Sequence, residues 1–148
     1  MKTKDLTLGF QVDQTPEEVF NAINNIRGWW IDKIDGGSEK LNDEYSVNFF
    51  DGLHVSTQKV TEFVPGKRVV WLVTKSRLDF LQQKDEWTGT KIIFDISREG
   101  DKTKMEFTHE GLVPTIECYS ACQPAWTEYI MDSLQGLITT GKGAPTKC

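Results

Sequence analysis

At 148 residues, with 38% hydrophobic and 26% charged side chains, the chain has the length and make-up of one globular domain. A domain of this size buries about 70% of the surface its unfolded chain exposes, so it needs no metal or disulfide staple. The net charge is −5 and the 17 basic residues form no run, which excludes a phosphate-tracking nucleic-acid surface and a face for anionic membranes. No stretch approaches the ~20 apolar residues of a membrane span. The first five residues, Met-Lys-Thr-Lys-Asp, lead into alternation instead of an apolar block, so no secretory leader is expected. Cys118, Cys122 and Cys148 then read as free thiols in a reducing cytoplasm, and no cofactor is expected.

In chain order, Leu6, Leu8, Phe10 and Val12 alternate with Thr7, Gly9 and Gln11, the pattern of a half-buried strand. Thr15-Pro16-Glu17-Glu18 starts a helix, with Thr15 as N-cap, Pro16 at the first helical position and Glu18 closing a capping box. Val19, Phe20 and Ile23 form its apolar side, and Gly28 ends or bends it. Of the adjacent Trp29 and Trp30, one is expected in the core and the other at the joint between helix and sheet. Asp35-Gly36-Gly37-Ser38 has the composition of a flexible loop.

Strands follow. Tyr45, Val47 and Phe49 alternate, and a long mixed segment from Leu53 to Val64 ends at Pro65-Gly66-Lys67, a type II turn with glycine at positive φ. Val69 to Val73 is apolar on both faces and belongs at the centre of a sheet. Residues Arg77 to Gly89 make a long connection, yet carry Leu78, Phe80, Leu81 and Trp87; such a segment packs as an extra edge or closes over a cavity. Ile92, Phe94 and Ile96 alternate, and Thr103, Met105, Phe107 and His109 share one face of the last strand.

The closing stretch from Pro114 to Gly141 organises the rest. Trp126, Ile130, Leu134, Leu137 and Ile138 form the stripe of an amphipathic helix, with Tyr129 and Ser133 on the same side. Glu128, Asp132, Gln135 and Thr139 are left for water. Pro124 makes the regular helix start near Cys122–Gln123 or kink there. A long apolar-faced helix after many strands buries its stripe on a sheet. The prediction is an α+β fold in a single domain, residues 1–148: about six curved antiparallel strands around a C-terminal helix, with two short helices after the first strand.

The local wording carries a resemblance. Val60 to Trp71 (VTEFVPGKRVVW), Glu86 to Ile92 (EWTGTKI), Phe107 to Pro114 (FTHEGLVP) and Glu117-Cys118-Tyr119 resemble the family named after the activator of the heat-shock protein 90 ATPase. Cys122, Trp126, Ser133-Leu134 and the tail Thr140-Gly141-Lys142-Gly143 with Pro145 extend the likeness over essentially the whole chain. The family sits in the helix-grip superfamily, which includes START-like and birch-pollen-allergen-like proteins. The resemblance implies a cytoplasmic helix-grip domain, an apolar small molecule held between sheet and helix, or a chaperone ATPase as partner.

Candidate lining residues for an apolar pocket are Trp30, Phe49, Trp71, Phe80, Trp87, Phe94, Phe107, His109, Cys122, Trp126 and Ile130. The sharpest chemical grouping is His109 with Cys118 and Cys122, as zinc ligands completed by Glu110 or Glu117, or as a Cys–His nucleophile pair in a cyclase or hydrolase. The spacing matches no standard zinc pattern, and a disulfide within that one turn is disfavoured by the Cβ directions. Asp79, Asp85 and Glu86 read as solvated loop carboxylates and His54 as a surface or edge residue, so no catalytic residue is assigned.

Overall fold

The computed structural model describes residues 5–31, 34–49, 52, 54–79, 82, 85, 87–112 and 119–145, and for 49 and 119–121 the backbone alone. Leu53, Phe80, Leu81, Glu86, Pro114, Glu117, Cys118 and Cys148 lie outside the described residues.

The chain runs β1 (Leu6–Val12), α1 (Pro16–Asn24), α2 (Ile26–Trp29), β2 (Asp35–Gly36), β3 (Glu44–Phe49), β4 (His54–Val64), β5 (Arg68–Leu78), β6 (Lys91–Glu99) and β7 (Lys102–Glu110). The C-terminal helix follows as α3 (Tyr119–Thr127), a π-helical segment (Glu128–Leu134) and α4 (Gln135–Thr140). All paired strands are antiparallel, in the order β1-β7-β6-β5-β4-β3-β2. β5, apolar on both faces, is the middle strand of the seven. The fold is the helix grip read from the sequence, with seven strands in place of about six.

The additional strand is β2, from the stretch read as a flexible loop. Gly36 adopts φ 104° against the Glu44 carbonyl, an approach that a Cβ would block. Two residues later Ser38 is buried and its hydroxyl accepts a hydrogen bond from the Trp71 indole at 2.9 Å. That segment is anchored by backbone and side chain, which its composition alone conceals.

Local chemistry places the first helix start and the β4–β5 turn as expected, whereas α1 ends at Asn24 and Gly28 lies within α2. Thr15 Oγ1 accepts from the Glu18 amide at 3.1 Å and the Glu18 carboxylate accepts from the Thr15 amide, completing the capping box. Gly66 at φ 73° closes the β4–β5 turn, with the Lys67 amide donating to Val64 O. Register shifts at Thr57/Gln58 and Val60/Glu62 interrupt the long β4–β5 ladder; bulges of this kind bend strands and curve a sheet. Arg77 and Leu78, assigned to the long connection, continue β5.

The C-terminal helix already begins at Tyr119 among the described residues and carries Pro124 inside its first part. Trp126, Ile130, Leu134 and Ile138 are all buried, at steps of four. In an α-helix four residues overshoot one turn by roughly 40°, so three such steps would rotate Ile138 off the face. The π segment turns less per residue and returns the stripe to line. Leu137 is only partly buried as a result.

Ser133 anchors this helix. Its hydroxyl donates to Trp29 O at 2.6 Å and accepts from the Ala144 amide at 2.8 Å, tying α2, the helix and the tail together. Gly143 passes so close to the Gly28 carbonyl that any side chain would collide with it. Ser133→Ala strands the buried Trp29 carbonyl and frees the Ala144 amide, and is predicted to cost about 1–3 kcal/mol in urea unfolding with an unchanged m value.

Candidate functional site

The inner face of the sheet carries a run of aromatic rings in direct contact. All five tryptophans are buried and linked. Trp29 stacks on Trp30 (centroids 6.0 Å), Trp30 on Trp71 (6.2 Å), and Trp30 tilts on Trp126 (5.1 Å). Trp126 in turn stacks on Trp87 (5.9 Å) and meets Phe107 (4.8 Å), while Phe94 touches Trp71 and Phe107. Trp29 and Trp30 do not divide between core and joint. Both are buried and nearly parallel, because α2 ends in a turn at Trp30 and the Trp29 indole donates back to Ile23 O at 2.9 Å.

His109 sits at the end of this run, wholly buried, as its strand register requires. The Trp126 indole N–H donates to its Nδ1 at 3.0 Å. An indole nitrogen can only donate, so Nδ1 holds a lone pair and the proton is on Nε2. Nε2 lies 2.8 Å from Thr90 Oγ1, whose own hydrogen goes to Trp87 O at 2.6 Å. The chain of donors runs Trp126, His109, Thr90, Trp87 carbonyl, and every proton in it is assigned. Burial, and then the nearby His54, push the His109 pKa down to about 3.

This arrangement removes the chemistry read from His109 in the sequence. A general base or a metal ligand needs a free ring lone pair, and the one lone pair here receives the indole proton. Cys122 is disulfide-bonded, so it is not the expected free thiol, and it offers neither a thiolate nucleophile nor a metal-binding sulfur in this state. Its partner lies outside the described residues. Asp79 is held by a bidentate Arg77 pair at 2.8 and 3.0 Å, and Asp85 is exposed.

His54 is half-buried on an inner strand, not an exposed edge residue. Its ring stands edge-on to Trp87 at 4.6 Å, and burial lowers its pKa to about 4. The structure thus wedges Trp87, from the long connection, between His54 and His109.

Of the sequence-predicted lining residues, Trp30, Trp71, Trp87, Phe94, Phe107, His109 and Trp126 form this one contiguous cluster, with Cys122 and Ile130 buried on the helix. Phe49 lies on β3 with its side chain outside the described set, as Phe80 is entirely.

Sequence reasoning missed a polar seam. Ser56 and Gln58 on β4 point to the same inner face as Val60 and are buried. Gln58 pairs across the ladder with Tyr45, itself buried. Gln58 Nε2 donates to Ser56 Oγ at 2.6 Å, but Gln58 Oε1 and the Tyr45 hydroxyl have no hydrogen-bond partner among the described residues. The inner residues of β4 are as polar as its outer ones, so the alternation that marks a buried face is absent there. Elsewhere, a cleft of about 340 Å³ lies against α1 and α2, lined by Phe20, Asn24, Ile26, Arg27, Ser38 and Phe63 among others; none of the predicted lining residues borders it.

A family model described as Activator of Hsp90 ATPase homolog 1-like protein matches residues 13–139. The solution structure of an Aha1 dimer from Colwellia psychrerythraea superposes with a TM-score of 0.76 at 23% identity, covering 95% of this chain and 99% of that one. A protein from Staphylococcus saprophyticus is similar at TM-score 0.69 and 14% identity, covering 98% of each chain. A protein of the dynemicin biosynthetic locus is similar at TM-score 0.66 and 13% identity, over 93% of this chain and 48% of that one. At these identities the likeness is one of fold. No curated protein matches. No described helix is long and apolar enough to cross a membrane.

Both imidazoles bind protons more weakly in the fold than the usual value of 6.5, to about 3 and about 4. Between pH 6.5 and those values unfolding takes up protons, so stability is intact above about pH 6.5 and falls as pH falls, by up to about 1.4 kcal/mol per pH unit for each group. Urea midpoints measured from pH 7.5 to 5 are predicted to drop accordingly. His109→Gln, whose amide can accept from Trp126 and donate to Thr90, is predicted to remove about half of that slope; an unchanged slope contradicts the assignment.

Proposed function

The chain belongs to the Activator of Hsp90 ATPase homolog 1-like family, and on that premise we propose that it binds a small, mainly apolar molecule between the sheet and the C-terminal helix. The observation that carries this reading is the pair of inward, buried polar atoms on β3 and β4, Tyr45 OH and Gln58 Oε1. Burying an unpaired polar atom costs about 1–3 kcal/mol, and a bound molecule that supplies the missing hydrogen bonds recovers it. Around them stand the apolar walls such a molecule needs: Trp30, Trp71, Val47, Val60 and Val73. Mostly apolar walls with a few convergent polar groups are the general make-up of small-molecule sites. In this reading Trp87 closes the site from the long connection, and the His109 network holds it in place.

A second reading, an interaction protein acting on a chaperone ATPase, is supported by the family's description. Chaperone ATPase turnover with and without the protein separates the two; unchanged turnover counts against the second.

Thermal unfolding with fatty acids, flavonoids and steroids tests the first. A ligand at one hundred times its Kd adds about 2.7 kcal/mol and is expected to raise the midpoint by several degrees. Midpoints unmoved by every class would overturn the carrier reading.

A further inference from the structure

Resting on the carrier reading, we propose that the bound molecule has an uncharged head that both donates and accepts hydrogen bonds, a hydroxyl or a carboxamide, and that Tyr45 and Gln58 receive it. The two residues are direct cross-strand partners, so their side chains leave the sheet on one rung and one face. Both are almost fully excluded from water, at 1% and 0% exposure. Gln58 is already oriented by its bond to Ser56 Oγ, which leaves its other amide atom directed elsewhere. The Tyr45 hydroxyl has one hydrogen to give and lone pairs to receive. A head that can do both satisfies the pair whichever way round the Gln58 amide sits. A hydrocarbon end satisfies neither.

Charge decides the class further. Among the described residues no Lys, Arg, Asp or Glu is buried, so none of them sets a buried counter-ion beside this rung. Among the described residues, His54, two residues before Ser56 on the same face of β4, and His109 across the Trp87 ring are the titratable side chains of the inner surface besides Tyr45 itself. Burial keeps both imidazoles neutral at pH 7 and holds the Tyr45 phenol protonated. A carboxylate brought here would lose its hydration without gaining a cation. Alcohols, phenols, sterols and carboxamides are therefore the ligand class, and fatty-acid anions are not. The rings of Trp30 and Trp71, edge-on to Tyr45 at 6.3 and 5.2 Å, give the apolar body its wall.

The test uses matched pairs at pH 7.5, 2-naphthol against 2-naphthoate and 1-dodecanol against dodecanoate, with naphthalene as the headless control and tryptophan fluorescence as the readout. The neutral member of each pair is expected to bind at least tenfold more tightly than its anion. Tyr45→Phe and Gln58→Leu are each expected to weaken the neutral members about three- to tenfold while leaving naphthalene unchanged. Without ligand, Tyr45→Phe is expected to unfold at an equal or higher temperature than the parent, because it removes a buried hydroxyl with no partner among the described residues. Anions that bind as tightly as alcohols, or alcohol affinities untouched by both variants, would overturn the head assignment and leave the carrier reading standing. Naphthalene, naphthol and dodecanol all failing to bind would overturn both.

Discussion

The hydrogen bond from the Trp126 indole to His109 Nδ1 is the constraint on which the interior depends. It joins the C-terminal helix to β7, the strand farthest from β3 and β4 apart from the β1 edge. Because the indole can only donate, it sets the imidazole's tautomer, and that tautomer sets the next link through Thr90 to the carbonyl of Trp87. One helix side chain thereby fixes where the long connection re-enters the core. A charged imidazole cannot take the same place, since two N–H groups would then confront each other.

The cluster built on this bond is a contact chain of tryptophans, and its geometry asks something of the helix. Trp126, Ile130, Leu134 and Ile138 must share one face over about three turns, which an α-helix of uniform pitch does not allow at steps of four. The π segment solves this at the cost of weaker local backbone bonding, and Ser133 compensates by bonding Trp29 O and the Ala144 amide from within that segment. The Gly-Lys-Gly tail is part of the same joint, with Gly143 against Gly28. The residues that look like terminal punctuation in the sequence hold the helix to α2.

The architecture was legible because its signals are local or periodic. The Thr15 capping box, the Pro65-Gly66 turn, the two-faced apolar run of β5 and the inward placement of His109 each follow from a few neighbouring residues. What stayed hidden depends on partners distant in sequence. Ser38 and β2 look like a loop until Trp71 and Glu44 are seen beside them. His54 looks exposed because β4 places histidine, serine and glutamine on its inner face, which erases the usual alternation. Reading His109 beside two cysteines suggested reactivity, and only the geometry shows its lone pair engaged by Trp126 and Cys122 engaged in a disulfide.

The same loss of alternation on β4 separates the two halves of the interior: interlocked rings with satisfied polar atoms toward β7 and, among the described residues, buried polar atoms without partners toward β3. The first half makes the second possible, since only a rigid wall can hold unpaired groups in place without collapsing onto them. That division rests on the protonation state of His109. The most direct measurement is ¹⁵N histidine NMR of the folded protein from pH 7.5 to 4.5. A neutral His109 ring is predicted throughout, with a protonated Nε2 and an unprotonated Nδ1. A proton on Nδ1, or a ring that becomes doubly protonated near pH 6, would contradict it.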